Sequence, residues 1–184
     1  MKYNDQNIEA KVLQKTFELL QKYGIRGWNM DMLSLQSGLS KNTLYKIIGS
    51  KEDLMERVTM NYYQEIYSQL TKILENAEDY IYTFKKMIQV YSDLSPAYFS
   101  EIFNEYPNIE IKISVQYAGL RQKLIDYIRR GVEEGYLRED LSVDKIFELL
   151  RSVALFYDSK FSEHERAEKI HFAFDCIIYG IIRK

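Results

Sequence analysis

Few side chains in this chain of 184 residues are spaced for catalysis. His164 and His171 stand seven apart, near Glu168, whereas a helical metal-binding pair usually stands four apart, and no third ligand is evident. They read as surface or interface residues. Cys176 follows Phe172 and Phe174 and precedes Ile177, which reads as a buried, inert thiol rather than a nucleophile. The sequence carries no phosphate-binding glycine loop and no nucleophile elbow. Neither an enzyme, a metal nor a cofactor is expected. Chemistry of another kind is concentrated in Ser40, Lys41, Asn42, Thr43, Tyr45 and Lys46. Lysines and hydroxyls are donors to phosphate, while asparagine and threonine can read base edges in a major groove.

Such a set works only if a short helix holds it outward. The run Met30–Leu54 supplies that helix and its support. Asn29 is placed to cap a short helix ending at Gly38, with Trp28 and Leu33 as a hydrophobic staple. Gly38 takes positive φ cheaply, as a tight reversal requires. Leu39 plugs the corner, and Leu33, Leu44 and Ile48 clamp the two helices together. Ser40 caps the next helix and leaves a positive N-terminus facing outward, suited to a phosphate or a base acceptor. Ser50 with Asp53 imitates a capping box at the start of a longer helix. By spacing alone, this segment is equally a helical hairpin decorated with lysines.

Charge divides the chain at the same place. Residues 1–51 carry eight basic and four acidic side chains, a net +4, and the remaining 133 carry −6, for −2 overall. A basic head on an acidic body suggests that one end meets a polyanion. Only 8 Gly and 2 Pro argue against a hairpin-rich β fold. A polar Met1–Ala10, one cysteine and no apolar run near the ~20 residues of a membrane helix lead to an expectation of a cytoplasmic protein without a membrane segment.

Period-3.6 patterning runs almost throughout. Ile8, Val12, Leu13, Phe17, Leu20 and Tyr23 line a first helix that Gly24 stops. Leu54, Val58, Tyr62, Ile66, Leu70 and Ile73 stripe the fourth. Ser95-Pro96, Ser142 and the capping box from Ser162 to Glu165 open later helices; Pro107 marks another start or a kink, after which one long helix is expected to run to about Gly131–Gly135. Met60–Tyr82 is the hardest stretch in which to place a boundary. The expected fold is all-α, of about nine helices.

Gly38-Leu39-Ser40-Lys41-Asn42-Thr43-Leu44-Tyr45, followed by Ser50-Lys51-Glu52-Asp53-Leu54, resembles the signature of the TetR-type, tetracycline-repressor-like, transcriptional repressors. Those commonly read glycine-valine-serine-x-x-threonine-leucine-tyrosine, then serine-lysine-glutamate-x-leucine. The resemblance covers roughly residues 8–58. It implies an N-terminal three-helix helix-turn-helix head, residues 1–52, on a helical effector-binding and dimerisation domain, residues 53–184. Asn29 matches a cap that touches phosphate; Lys41, Asn42 and Thr43 match the base-reading turn; Tyr45 and Lys51 match backbone contacts. Departures fall at Asp31, where a basic or neutral residue suits phosphate better, at apolar Leu35, and at Ile47 and Ile48. The function implied is a homodimeric repressor that binds a palindromic double-stranded DNA operator and is released by a small organic effector.

Two features of the body bear on that expectation. The last two helices are apolar over more than one face, so Leu149, Val153, Phe156, Phe174, Ile178 and Ile181 are candidates for a dimer contact. Tyr62, Tyr67, Tyr91, Phe99, Phe103 and Tyr117 are candidates for an effector pocket, though aromatics at helical spacing are also ordinary core. The alternative function is a dimeric helical protein that senses or sequesters a ligand and carries a vestigial head.

Overall fold

The computed structural model describes residues 5–77, 79–94, 98–140, 142–158 and 163–182. Ten α-helices account for the regular structure of these residues, and the one β pairing among them is an isolated antiparallel bridge between Leu137 and Ile182. The fold is therefore all-α. Ser95-Pro96 and Ser162 lie outside the described residues.

The chain forms two compact units, residues 1–63 with 98–111 and residues 64–97 with 112–184. The boundary expected at 52/53 falls inside α4 (Lys51–Glu75), which contributes to both units.

The first unit holds α1 (Asp5–Tyr23), α2 (Met30–Ser37), α3 (Lys41–Ile48), the first three turns of α4, α6 (Tyr98–Glu105) and the start of α7 (Pro107–Gln116). Sequence sets the boundaries of the two short helices. Asn29 Oδ1 accepts the N–H groups of Asp31 and Met32 at 3.0 and 3.1 Å, and Gly38 closes α2 at φ 73°. α1, α2 and α3 pack on one another. Val12, Leu19, Leu20, Leu33, Leu44, Ile48, Leu54 and Met55 are each no more than 1% exposed. Complete burial of a leucine or isoleucine stabilises by about 1.5–3 kcal/mol, so Leu44 and Ile48 alone fix which side of α3 faces away from the core.

The second unit holds the rest of α4, α5 (Tyr80–Leu94), the end of α7, α8 (Ala118–Glu133), α9 (Val143–Asp158) and α10 (Glu163–Ile181). Asp79 opens α5 by accepting the Tyr82 N–H at 2.7 Å, which places the boundary that periodicity left open. α10 packs on α5 and α9. Its C-terminal end is held by the Arg138 N–H on the Ile181 carbonyl at 2.8 Å and by Arg138 Nη1 on the Gly180 carbonyl at 3.1 Å.

Four expectations are corrected here. The long helix after Pro107 breaks at Tyr117, whose φ and ψ of −105° and 17° leave the helical range. No proline or cap marks the place. The tyrosine ring instead packs against Tyr67, tilted at 39° with 5.1 Å between centroids, and donates to Gln64 Oε1 at 3.3 Å. Phe174, Ile178 and Ile181, expected at a dimer contact, are 6%, 0% and 4% exposed and belong to the chain's own core with Phe84, Ile128 and Ile146. Cys176 is exposed rather than buried, because Phe174 and Ile178 take the core face of α10. Tyr23 is 39% exposed, and the deepest residues of α1 are Val12, Thr16 and Leu19.

Close packing in this unit also shows at the end of α8. Tyr80 stacks on Tyr127 at 4.7 Å and its hydroxyl donates to Glu134 Oε2 at 3.1 Å. Burial, and next the Glu134 carboxylate, push its pKa up to about 12.

Candidate nucleic-acid interface

The outward face of α3 is built from its two ends. Ser40, extended at φ −67° and ψ 152°, accepts the Thr43 N–H at 3.2 Å, and its Oγ lies 2.9 Å from Thr43 Oγ1. Ser40 thus caps α3, as its place before the helix led one to expect. At the other end Gly49 donates its N–H to the Tyr45 carbonyl at 3.0 Å. Between them Leu44 and Ile48 are wholly buried. Lys41, Asn42, Thr43, Tyr45 and Lys46 are all exposed. Five polar or aromatic side chains therefore project from an eight-residue helix that is fixed at both ends and along its back.

The flanking cations are less free than their charges suggest. Lys41 Nζ lies 2.6 Å from Asp31 Oδ1. Lys51 is half-buried; its ammonium donates to the Ile25 carbonyl at 3.3 Å and stands 4.9 Å from the centre of the Trp28 ring. Arg57, which sequence reasoning passed over, pairs with Glu9 at 2.8 Å and donates to the Ile47 carbonyl at 3.1 Å. Those partners are 48 and 10 residues away, so no local pattern announces them. The capping box reads as expected: Ser50 N–H donates to Asp53 Oδ2 at 2.8 Å, and Asp53 N–H to Ser50 Oγ at 3.0 Å. Leu35 is 85% exposed on α2, and Arg26 stands at the corner between α1 and α2 with its side chain 88% exposed.

The candidate effector residues are divided between the two units. Tyr62, Phe99 and Phe103 pack in the first unit with Phe17, Tyr63 and Tyr98, at centroid separations of 4.8 to 6.4 Å. Tyr67 and Tyr117 pair in the second unit, and of the Tyr91 side chain nothing is described. The rings fill one another's space. Two open grooves lie elsewhere in the first unit. One of about 430 Å³ is lined by Tyr23, Gly24, Ile25, Arg26, Glu101 and Asn104, and one of about 350 Å³ lies between α1 and α4 near Glu9 and Arg57. Among the described residues no cluster of three or more His, Cys, Asp or Glu could hold a metal ion, and no helix is long and apolar enough to cross a membrane.

Of the candidate dimer residues, Leu149 is 47% exposed, Val153 is half-buried and the Phe156 side chain is not described. The large exposed apolar residues of α10 are instead Phe172 and Tyr179, at 72% and 60%.

No family model and no curated protein matches the sequence. Solved structures do match over nearly the whole chain. The ketosteroid transcriptional regulator KstR2 of Mycobacterium tuberculosis superposes with a TM-score of 0.76 at 14% identity, over 96% of this chain and 95% of that one. A TetR-family transcriptional regulator of Streptomyces coelicolor, SCO4454, gives 0.71 at 14% identity, over 96% of each. The TetR-family regulator PfmR of Thermus thermophilus gives 0.69 at 22% identity, over 94% and 99%. The chain thus has the fold of TetR-type transcriptional regulators.

Proposed function

We propose that the protein is a DNA-binding transcriptional regulator that acts as a homodimer. The observation that carries this reading is the α3 face, where Lys41, Asn42, Thr43, Tyr45 and Lys46 project from a helix locked by Leu44 and Ile48 in a TetR-type fold. α3 enters the major groove, Asn42 and Thr43 read base edges, and Lys41, Tyr45, Lys46 and Lys51 contact the backbone. Asn29 and Ser40 cap the two helices, and Leu33, Leu44 and Ile48 pack them together. Paired heads roughly 34 Å apart read the half-sites of a palindromic operator.

The remaining parts of the reading are repression, release by a small organic effector bound in the helical body, and a cytoplasmic location. No catalytic step belongs to it. Effector and operator affinities are then coupled reciprocally. Salt dependence of binding to duplex DNA from upstream of the protein's own gene is the test. A regulator loses affinity steeply as salt rises, and prefers its site over random duplex by about 10³-fold or more. Equal, weak binding to every duplex would instead leave a ligand-sensing helical protein with a vestigial head.

A further inference from the structure

The reading surface contains one carboxylate, and it is engaged. Asp31 is the single acidic residue between Met30 and Ile48. Its Oδ1 lies 2.6 Å from Lys41 Nζ, with the two side chains 72% and 47% exposed. The pair joins the first turn of α2 to the first residue of α3, the two helix starts that frame the surface. Local structure does not require it: Asn29 already caps α2 and Ser40 already caps α3.

An exposed ion pair contributes only about 0–1 kcal/mol, so it opens easily when a better partner arrives. It still changes what a phosphate gains from Lys41. Non-specific DNA binding draws nearly all its free energy from cations that replace condensed counterions. A lysine already neutralised by a carboxylate releases no counterion on meeting a phosphate unless the pair is first broken. A loosely placed phosphate gains no more than the pair gives up, whereas a well-aligned acceptor at a cognate site gains more.

Resting on the DNA-binding reading above, we propose that Asp31 is a specificity-determining residue that acts by holding Lys41, withholding one phosphate contact from non-cognate duplex and yielding it at the cognate site.

The experiment uses the full-length protein and two duplexes, one of random sequence and one selected by the wild type from a random pool, in a salt series. Asp31→Asn should tighten binding to the random duplex several-fold and steepen its log–log salt slope by about 0.9, the share of one added phosphate contact. The ratio of selected to random affinity should fall by a similar factor. Asp31→Glu, which keeps the charge, should retain the wild-type slope. In a Lys41→Gln background Asp31→Asn should move neither slope nor ratio. Wild-type slope and ratio in Asp31→Asn would overturn the inference while leaving the DNA-binding reading intact. So would an undiminished effect in the Lys41→Gln background, which would make Asp31 a direct repeller of phosphate. Salt-insensitive binding of the wild type to both duplexes would overturn the two readings together.

Discussion

Ser40 and Asn42 are two residues apart on the same surface, and they should fail differently when changed. Ser40 Oγ is occupied by the Thr43 N–H, so its removal unravels the first turn of α3. Ser40→Ala should lower stability by about 1 kcal/mol, seen as a lower denaturant midpoint, with affinity falling on all duplexes alike. Asn42 is exposed and has no part in the caps. Asn42→Ala should leave the midpoint within about 0.5 kcal/mol while changing the rank order of bound sequences. An Asn42→Ala protein that weakened every duplex equally would remove asparagine from base reading. The residue types of this face were legible in the sequence, because Leu44 and Ile48 set its phase. The partners of its cations were not. Lys41, Lys51 and Arg57 meet Asp31, Ile25 and Glu9 across 10, 26 and 48 residues, distances at which only the tertiary fold determines proximity.

At the scale of elements, caps wrote α2, α3 and the start of α4 into the sequence almost residue by residue. The break between α7 and α8 was invisible because no proline or side-chain cap marks it, and the Tyr117 ring meets Tyr67 and Gln64, about 50 residues away in sequence. Two glycines separate two reasons for needing that residue. Gly38 has φ 73° and nothing within 4 Å of an added Cβ, so Gly38→Ala strains only the backbone, by about 1–2 kcal/mol. At Gly131 a Cβ would come within 2.8 Å of both Leu137 Cδ1 and Tyr80 Cε1. Gly131→Ala should cost about 1–3 kcal/mol through overpacking, and part should return with Leu137→Ala, which vacates one of the two clashes. Thermal melts of the three variants would check this; additive losses in the double variant would argue against steric coupling.

For the whole molecule, a helical pattern shows how wide an apolar face is but not what covers it. α9 and α10 look doubly apolar in sequence, and the structure uses Phe174, Ile178 and Ile181 inside the chain while leaving Phe172 and Tyr179 outside. The proposed dimer therefore depends on the second set. Phe172→Asp should shift sedimentation from dimer to monomer with helicity intact, whereas Phe174→Asp should unfold the second unit. A Phe172→Asp protein that remained dimeric would place the contact elsewhere. The basic head was legible as charge, yet its compact unit reaches further than the +4 segment, taking in residues to 63 and α6.

The placement of Lys51 over Trp28 has an optical consequence. The chain has one tryptophan, and its ring is 4% exposed with an ammonium 4.9 Å from its centre. Excited at the red edge, where the 16 tyrosines are dark, emission comes from the first unit alone. Any event that draws Lys51 toward a phosphate lifts a charge from the indole face and changes its colour and yield. The fluorophore needed to follow operator binding is already in the head, without a label.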